Sequence, residues 1–207
     1  MTRTIAICNQ KGGVGKTNTV ANLGAAFAQM GKRTLLVDLD PRGDLTSSFG
    51  IDADTLEVTV YEALFDPAVS LVDASVLLPA DNLALVPANT NLAAGEMLLM
   101  ERGRGDRERI LADLLQQVSP EVEFVLIDTP PGLQLLTINA LVAAREVLVP
   151  QQCSFISLHG LKQLQKTVDG VREALNPELH ICGIVATMLD RRTLHHREVI
   201  TLMREAF

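Results

Sequence analysis

The chain has 207 residues, 47% hydrophobic and 21% charged, which suits one α/β domain or at most two small ones and excludes a mainly disordered chain. Lys and Arg number 18 and Asp and Glu 25, so the net charge is −7; a generally basic nucleic-acid binder is excluded, although a local basic patch is not. No stretch approaches the ~18–20 apolar residues of a membrane helix, and the first eight residues lead into a glycine loop instead of a signal-peptide cleavage site, which implies a cytoplasmic protein.

Strand and helix patterns alternate along the chain. Thr4–Cys8 reads as a buried strand, and Lys16–Met30 as a helix with Val20, Leu23, Gly24 and Phe27 at helical spacing and Gly31 as its stop. Strands follow at Thr34–Asp38 and Leu83–Pro87, helices at Asn91–Met100 and Arg107–Val118, and a strand at Glu123–Asp128. A helix over Gln134–Ala144, a strand over Glu146–Pro150, a long amphipathic helix over Ser157–Leu175, a strand over His180–Thr187 and a last helix over Thr193–Ala206 complete the order. Near-continuous apolar strands bounded by helices predict a parallel sheet covered on both faces, with the ligand site at the C-terminal strand ends. Cys8, Cys153 and Cys182 contain no CxxC pair and read as small buried hydrophobes in a reducing compartment. Phe155 and Met188 read as core. His195 and His196, without an acid or Cys at ligand spacing, read as surface residues.

Charge is unevenly spread. The first 37 residues carry five basic side chains and no acid, whereas residues 43–101 carry ten acids and no Lys or Arg. Two of the early lysines fall inside Asn9-Gln-Lys-Gly-Gly-Val-Gly-Lys-Thr17, between the first strand and the first helix. Glycines there let backbone N–H groups turn inward as an anion cradle at a helix N-terminus. Lys16 would reach the β- and γ-phosphates of a nucleotide, and the Thr17 hydroxyl would ligate Mg²⁺. The strict G-x-x-x-x-G-K-[ST] pattern is missed by one residue, since Gln10 stands at its first glycine. Asp128, at a strand tip, can hold Mg²⁺ through water, and Asp38 and Asp40 end the neighbouring strand.

Lys11-Gly-Gly-Val-Gly-Lys-Thr17 resembles the deviant Walker A signature of the ParA/MinD family of P-loop ATPases. Leu36-Val-Asp-Leu-Asp-Pro-Arg-Gly-Asp44 resembles that family's switch I, and Phe124-Val-Leu-Ile-Asp-Thr-Pro-Pro-Gly132 its Walker B and switch II. Val185-Ala-Thr-Met-Leu-Asp-Arg-Arg-Thr193 is similar to the late strand and loop of the ParA/Soj partitioning branch. The resemblance implies a three-layer P-loop NTPase fold of α/β class, with a mainly parallel twisted sheet and helices on both faces. It implies ATP and Mg²⁺ as ligands, with the nucleotide held by Gly12, Gly13, Val14, Gly15, Lys16, Thr17 and Asn18. The metal would be held by Thr17, Asp38 and Asp128. Lys16, Asp40 (orienting the attacking water) and Lys11 (reaching across an ATP-sandwich homodimer) would be catalytic. The expected partners are non-specific DNA, for which Arg191, Arg192 and Arg197 are candidates, and a centromere-bound ParB-type protein, with a nucleoid-associated location. The alternative is a MinD-like or cargo-positioning switch that acts through protein partners.

Three departures accompany the resemblance. Pro41-Arg-Gly-Asp44 stands where Pro-Gln-Gly-Asn is usual, placing a strong base beside Asp40. Asn18 replaces a commoner threonine. Family members usually continue past the Met203 region into a strand, an adenine-contacting loop and a helix, so the chain reads as one P-loop ATPase domain over residues 1–207 without that C-terminal strand and helix. No counterpart of the membrane-targeting helix of MinD is expected, and hence no membrane role.

Overall fold

The computed structural model describes residues 2–153, 155–190, 192, 198–201 and 204, with the backbone alone for 155–159. Among the described residues, seven strands form one sheet: β1 (Arg3–Ile7), β2 (Thr34–Asp38), β3 (Val76–Leu77), β4 (Leu83–Val86), β5 (Phe124–Asp128), β6 (Glu146–Gln152) and β7 (His180–Thr187). Their spatial order is β3-β4-β2-β5-β1-β6-β7, and every pairing is parallel except β3 with β4. The helices are α1 (Lys16–Gln29), α2 (Asp44–Ser48), α3 (Val60–Phe65), α4 (Leu92–Glu101), α5 (Ile110–Leu115), α6 (Leu135–Ala143) and α7 (Phe155–Ala174).

All five residues of β2 are buried, as a strand covered on both faces requires. Successive side chains of the central strands alternate between two cores. Ile5, Ile7, Leu36 and Leu126 meet Val20 and Ala28 of α1 and Leu45 of α2. Ala6, Val37, Val125 and Ile127 meet the layer that includes Leu64, Leu92, Leu111, Leu136 and Leu164. This is the three-layer α/β arrangement that the apolar strands predict.

The chain leaves β1 for one side of the sheet and crosses it between β5 and β6, so β1 lies at the reversal of strand order. Ligand crevices in open α/β sheets form at that point, outside the C-terminal strand ends. The loop after β1 opens there, as do the tips of β2 and β5.

Several elements differ from expectation. α2, a 3₁₀ turn at Ala53–Thr55, α3 and β3 all fall between Asp44 and Leu77, where the sequence suggests no regular structure. Each is too short to show a period. α3 nevertheless carries a readable start: Thr59 accepts from the Tyr61 N–H, while Glu62 accepts from the Thr59 N–H at 2.7 Å. The helix expected over Arg107–Val118 is regular only at Ile110–Leu115. Cys182 is exposed and not buried, on β7, which is the last strand of the sheet among the described residues. Met188 is also not core; it is 59% exposed just past that strand, at φ 53°. The side chain of Phe155 lies outside the described residues, as do His195, His196 and most of the expected last helix, of which 198–201 and 204 are helical.

Candidate nucleotide site

The loop from Asn9 to Gly15 joins the buried strand β1 to α1. Gly15 sits at φ 90° immediately before the helix, and Gly13 at φ 70°. An L side chain is strained in that region, so glycine permits the tight strand-to-helix bend. No side chain caps α1. Its first N–H groups are therefore available to an anion beside the glycine bend, with the positive end of the helix dipole behind them.

The loop is fixed from two sides. Asn9 donates through Nδ2 to the Pro150 carbonyl at 2.7 Å and to Gln151 Oε1 at 2.9 Å, and its Oδ1 accepts from the Lys11 N–H. The Thr187 hydroxyl at the end of β7 donates to the Val14 carbonyl at 2.8 Å. Asn9 and Thr187 lie within quoted motifs and Gln151 in none, and no motif assigns any of the three this bracing role. Their partners are some 140 to 170 residues away along the chain, and no local spacing announces them.

The two lysines behave differently. Lys16 is buried, and desolvation lowers its pKa against the opposing charges of Asp128 and Asp40. Lys11 is exposed and donates from Nζ to Gln152 Oε1 at 2.7 Å. Asn18, on α1, is exposed; its carbonyl accepts from Asn22.

Asp38 and Asp128 are register partners on adjacent parallel strands, so their side chains leave the sheet side by side on one face. Both are fully buried. Asp38 is saturated: Oδ1 accepts from the Asp40 N–H, and Oδ2 from the Thr46 N–H at 3.0 Å and hydroxyl at 2.8 Å. Thr46 also accepts from the Ala88 N–H, tying β2, α2 and the loop after β4 together. Thr46 was missed in the sequence because α2 was.

Asp128 is the opposite case. No donor, Thr17 included, reaches hydrogen-bond geometry on either of its oxygens. Burial, then the Asp38 charge, pushes its carboxyl up to about 7; the nearby Thr17 hydroxyl and Lys16 charge oppose the rise. Burial likewise raises Asp38 to about 6, against the Thr46 and Asp40 donors.

Both carboxyls thus hold protons more tightly folded than unfolded. Stability from that protonation is complete below about pH 4 and is lost as pH rises through 6 and 7. Within that window each group contributes at most about 1.4 kcal/mol per pH unit. The nucleotide-free chain is expected to have a higher urea midpoint at pH 5.5 than at pH 8. An unchanged midpoint would count against the raised titration of these two buried carboxyls.

An orphaned buried carboxylate, with a hydroxyl and an ammonium nearby, fits a hard divalent cation completed by phosphate oxygens and water. Magnesium favours such sites over an all-protein cage. Among the described residues, no group of three or more His, Cys, Asp or Glu side chains is placed to hold a metal ion by itself.

Asp40 is gripped by its neighbour. Its Oδ1 accepts from the Arg42 N–H at 3.1 Å, and its Oδ2 lies 3.3 Å from Arg42 Nη2, which also reaches Asp44 Oδ2 at 2.7 Å. Gly43, at φ 62°, fixes this bend; a Cβ there would stand 2.7 Å from the Ala88 carbonyl oxygen. Of the three arginines expected at DNA, Arg191 and Arg197 lie outside the described residues. Arg192 is 92% exposed at the side chain and pairs with Asp190 at 3.1 Å. No helix among the described residues is long and apolar enough to cross a membrane.

The glycine bend, the buried lysine and the strand-tip carboxylates at the reversal of a parallel sheet define a P-loop nucleotide-binding protein. Comparison narrows the class. The family profile described as AAA domain matches residues 2–181. An uncharacterised protein of Mycobacterium tuberculosis is 44% identical over 99% of this chain, which spans only 64% of that relative's length. The sporulation initiation inhibitor protein Soj of Bacillus subtilis is 44% identical over 100% of this chain and 81% of its own. Among solved structures, the cobyrinic acid a,c-diamide synthase of Mycobacterium smegmatis with bound ATP analogue and magnesium is 42% identical, with a TM-score of 0.93, covering 100% of this chain and 83% of that one. The chain belongs to the ParA/MinD family of P-loop ATPases, on its ParA/Soj branch.

Proposed function

We propose that the chain is the nucleotide switch of a DNA-partitioning system, hydrolysing ATP with Mg²⁺ and pairing with a second copy in the ATP state. The observation that carries this reading is the division of labour between the lysines. Lys16 is sealed in beside Asp128, where it would meet the β- and γ-phosphates. Lys11 stands exposed at the front of the loop, restrained only by an amide that a phosphate would outcompete.

In this reading the glycine bend and the first turn of α1 hold the phosphates, and the Thr17 hydroxyl and Asp128, the latter through water, hold the cation. Magnesium, when bound, neutralises charge that develops on the phosphate oxygens. Asp40 accepts from the attacking water and orients it. Asp38, saturated by Thr46, positions the Asp40 backbone and reaches the metal only through its outer shell. Lys11 from a second copy adds positive charge at the transition state, as an arginine finger does. The Soj and ParA relatives support the partitioning assignment, with non-specific DNA as the track, a ParB-type protein as the stimulating partner and the nucleoid as the location.

Light scattering after gel filtration is expected to show a dimer with ATP and Mg²⁺ and a monomer with ADP. ATP-loaded protein should be retained on DNA at low salt, and log K should fall by about 0.9 per neutralised phosphate for each unit of log salt. A dimer with no DNA retention would favour the protein-cargo alternative, which the net charge of −7 and the Arg192–Asp190 pair support.

A further inference from the structure

Arg42 is placed where it can control Asp40. Both oxygens of the Asp40 carboxylate face Arg42, one meeting its backbone N–H at 3.1 Å and the other its guanidinium at 3.3 Å and 3.4 Å. A carboxylate engaged in this way has few lone pairs left to accept from a water molecule. The guanidinium is itself shared, and its shorter contact, 2.7 Å, is to Asp44. Asp40 is buried, whereas the side chain of Arg42 is 61% exposed and can move. Beside it opens a polar hollow of about 120 Å³ whose lining includes Ser47, Asp52, Asp54 and Thr90, so the guanidinium has both room and further carboxylates to turn to.

We propose that Arg42 is a latch on Asp40: its guanidinium occupies the water-orienting carboxylate in the resting chain and releases it by passing to Asp44 and the adjoining acidic hollow. Arg42 is then a positioning residue that holds basal turnover low, and Asp44 is the arm that draws it away. This rests on the reading of Asp40 given above. Because one partner is exposed, the grip is weak and screened by salt. The latch therefore yields to whatever next binds this face, and it predicts that basal turnover of the native chain rises with ionic strength.

The test compares Arg42→Gln, Arg42→Lys, Asp44→Asn and Asp40→Ala in basal ATP turnover, without DNA or partner, at 50 and 300 mM salt. Arg42→Gln should raise kcat about three- to tenfold with KM unchanged, and should abolish the rise with salt. Arg42→Lys should restore most of the native restraint, and Asp44→Asn should lower kcat. A fall or no change in kcat for Arg42→Gln, with Asp40→Ala inactive, would overturn the latch but leave the role of Asp40 intact. An active Asp40→Ala variant would overturn the reading on which the latch rests. A readout without nucleotide accompanies these. In thermal melts the double variant Arg42→Gln/Asp40→Asn should lose about 1–3 °C less than the sum of the single variants at low salt, and less than that difference at high salt. Strict additivity at low salt would show that the pair is not coupled and would end the proposal.

Discussion

Replacing Lys16 with alanine is expected to abolish nucleotide binding. The buried ammonium is the group that would sit between the phosphates and Asp128. Two charge-assisted hydrogen bonds at about 1.5–3 kcal/mol each correspond to at least a hundredfold loss of affinity. The substitution also removes the positive charge that offsets Asp128, so the variant's carboxyl should rise further and its stability near neutral pH should fall. Lys16→Met separates the two effects, since it keeps the apolar stem and most of the packing. Calorimetric titration with an ATP analogue checks both variants. Native affinity in Lys16→Met, with the fold intact by circular dichroism, would refute the phosphate role.

The second large effect belongs to Lys11. Its side chain is exposed and its one described hydrogen bond is to Gln152, so Lys11→Ala should leave the fold and monomeric nucleotide binding close to native. What it should lose is the ATP-dependent dimer, and with it turnover, by the factor of about 10³–10⁵ typical of a finger supplied in trans. Scattering and turnover measured on the same preparation decide the matter. Wild-type turnover in a strictly monomeric Lys11→Ala chain would exclude the trans role. Lys16→Ala thus removes binding, and Lys11→Ala only what binding triggers.

Much of this site is legible in the chain as written. The run from Lys11 to Thr17 is contiguous, and glycine spacing beside a lysine and a threonine specifies a phosphate cradle with little help from elsewhere. The acids that end β2 and β5 are visible because each closes an apolar run. Arg42 stands out in the same way, as a base within an acidic neighbourhood. The short elements between Asp44 and Leu77 were not legible, because five or six residues cannot display a helical period. Thr46, the partner that fixes Asp38, was lost with them.

Sequence alone therefore determined the glycine bend, its two lysines, the order of the central strands and the longer helices, and which carboxylates close the strands, since all of these are carried by neighbours within a few residues. Tertiary structure alone decided that Asp38 and Asp128 lie side by side in register, that the first is satisfied and the second orphaned, that Lys11 rests on Gln152, and that Arg42 holds Asp40. Register between strands 90 residues apart, and the desolvation that follows from it, is set by how whole layers pack, and no local pattern encodes that.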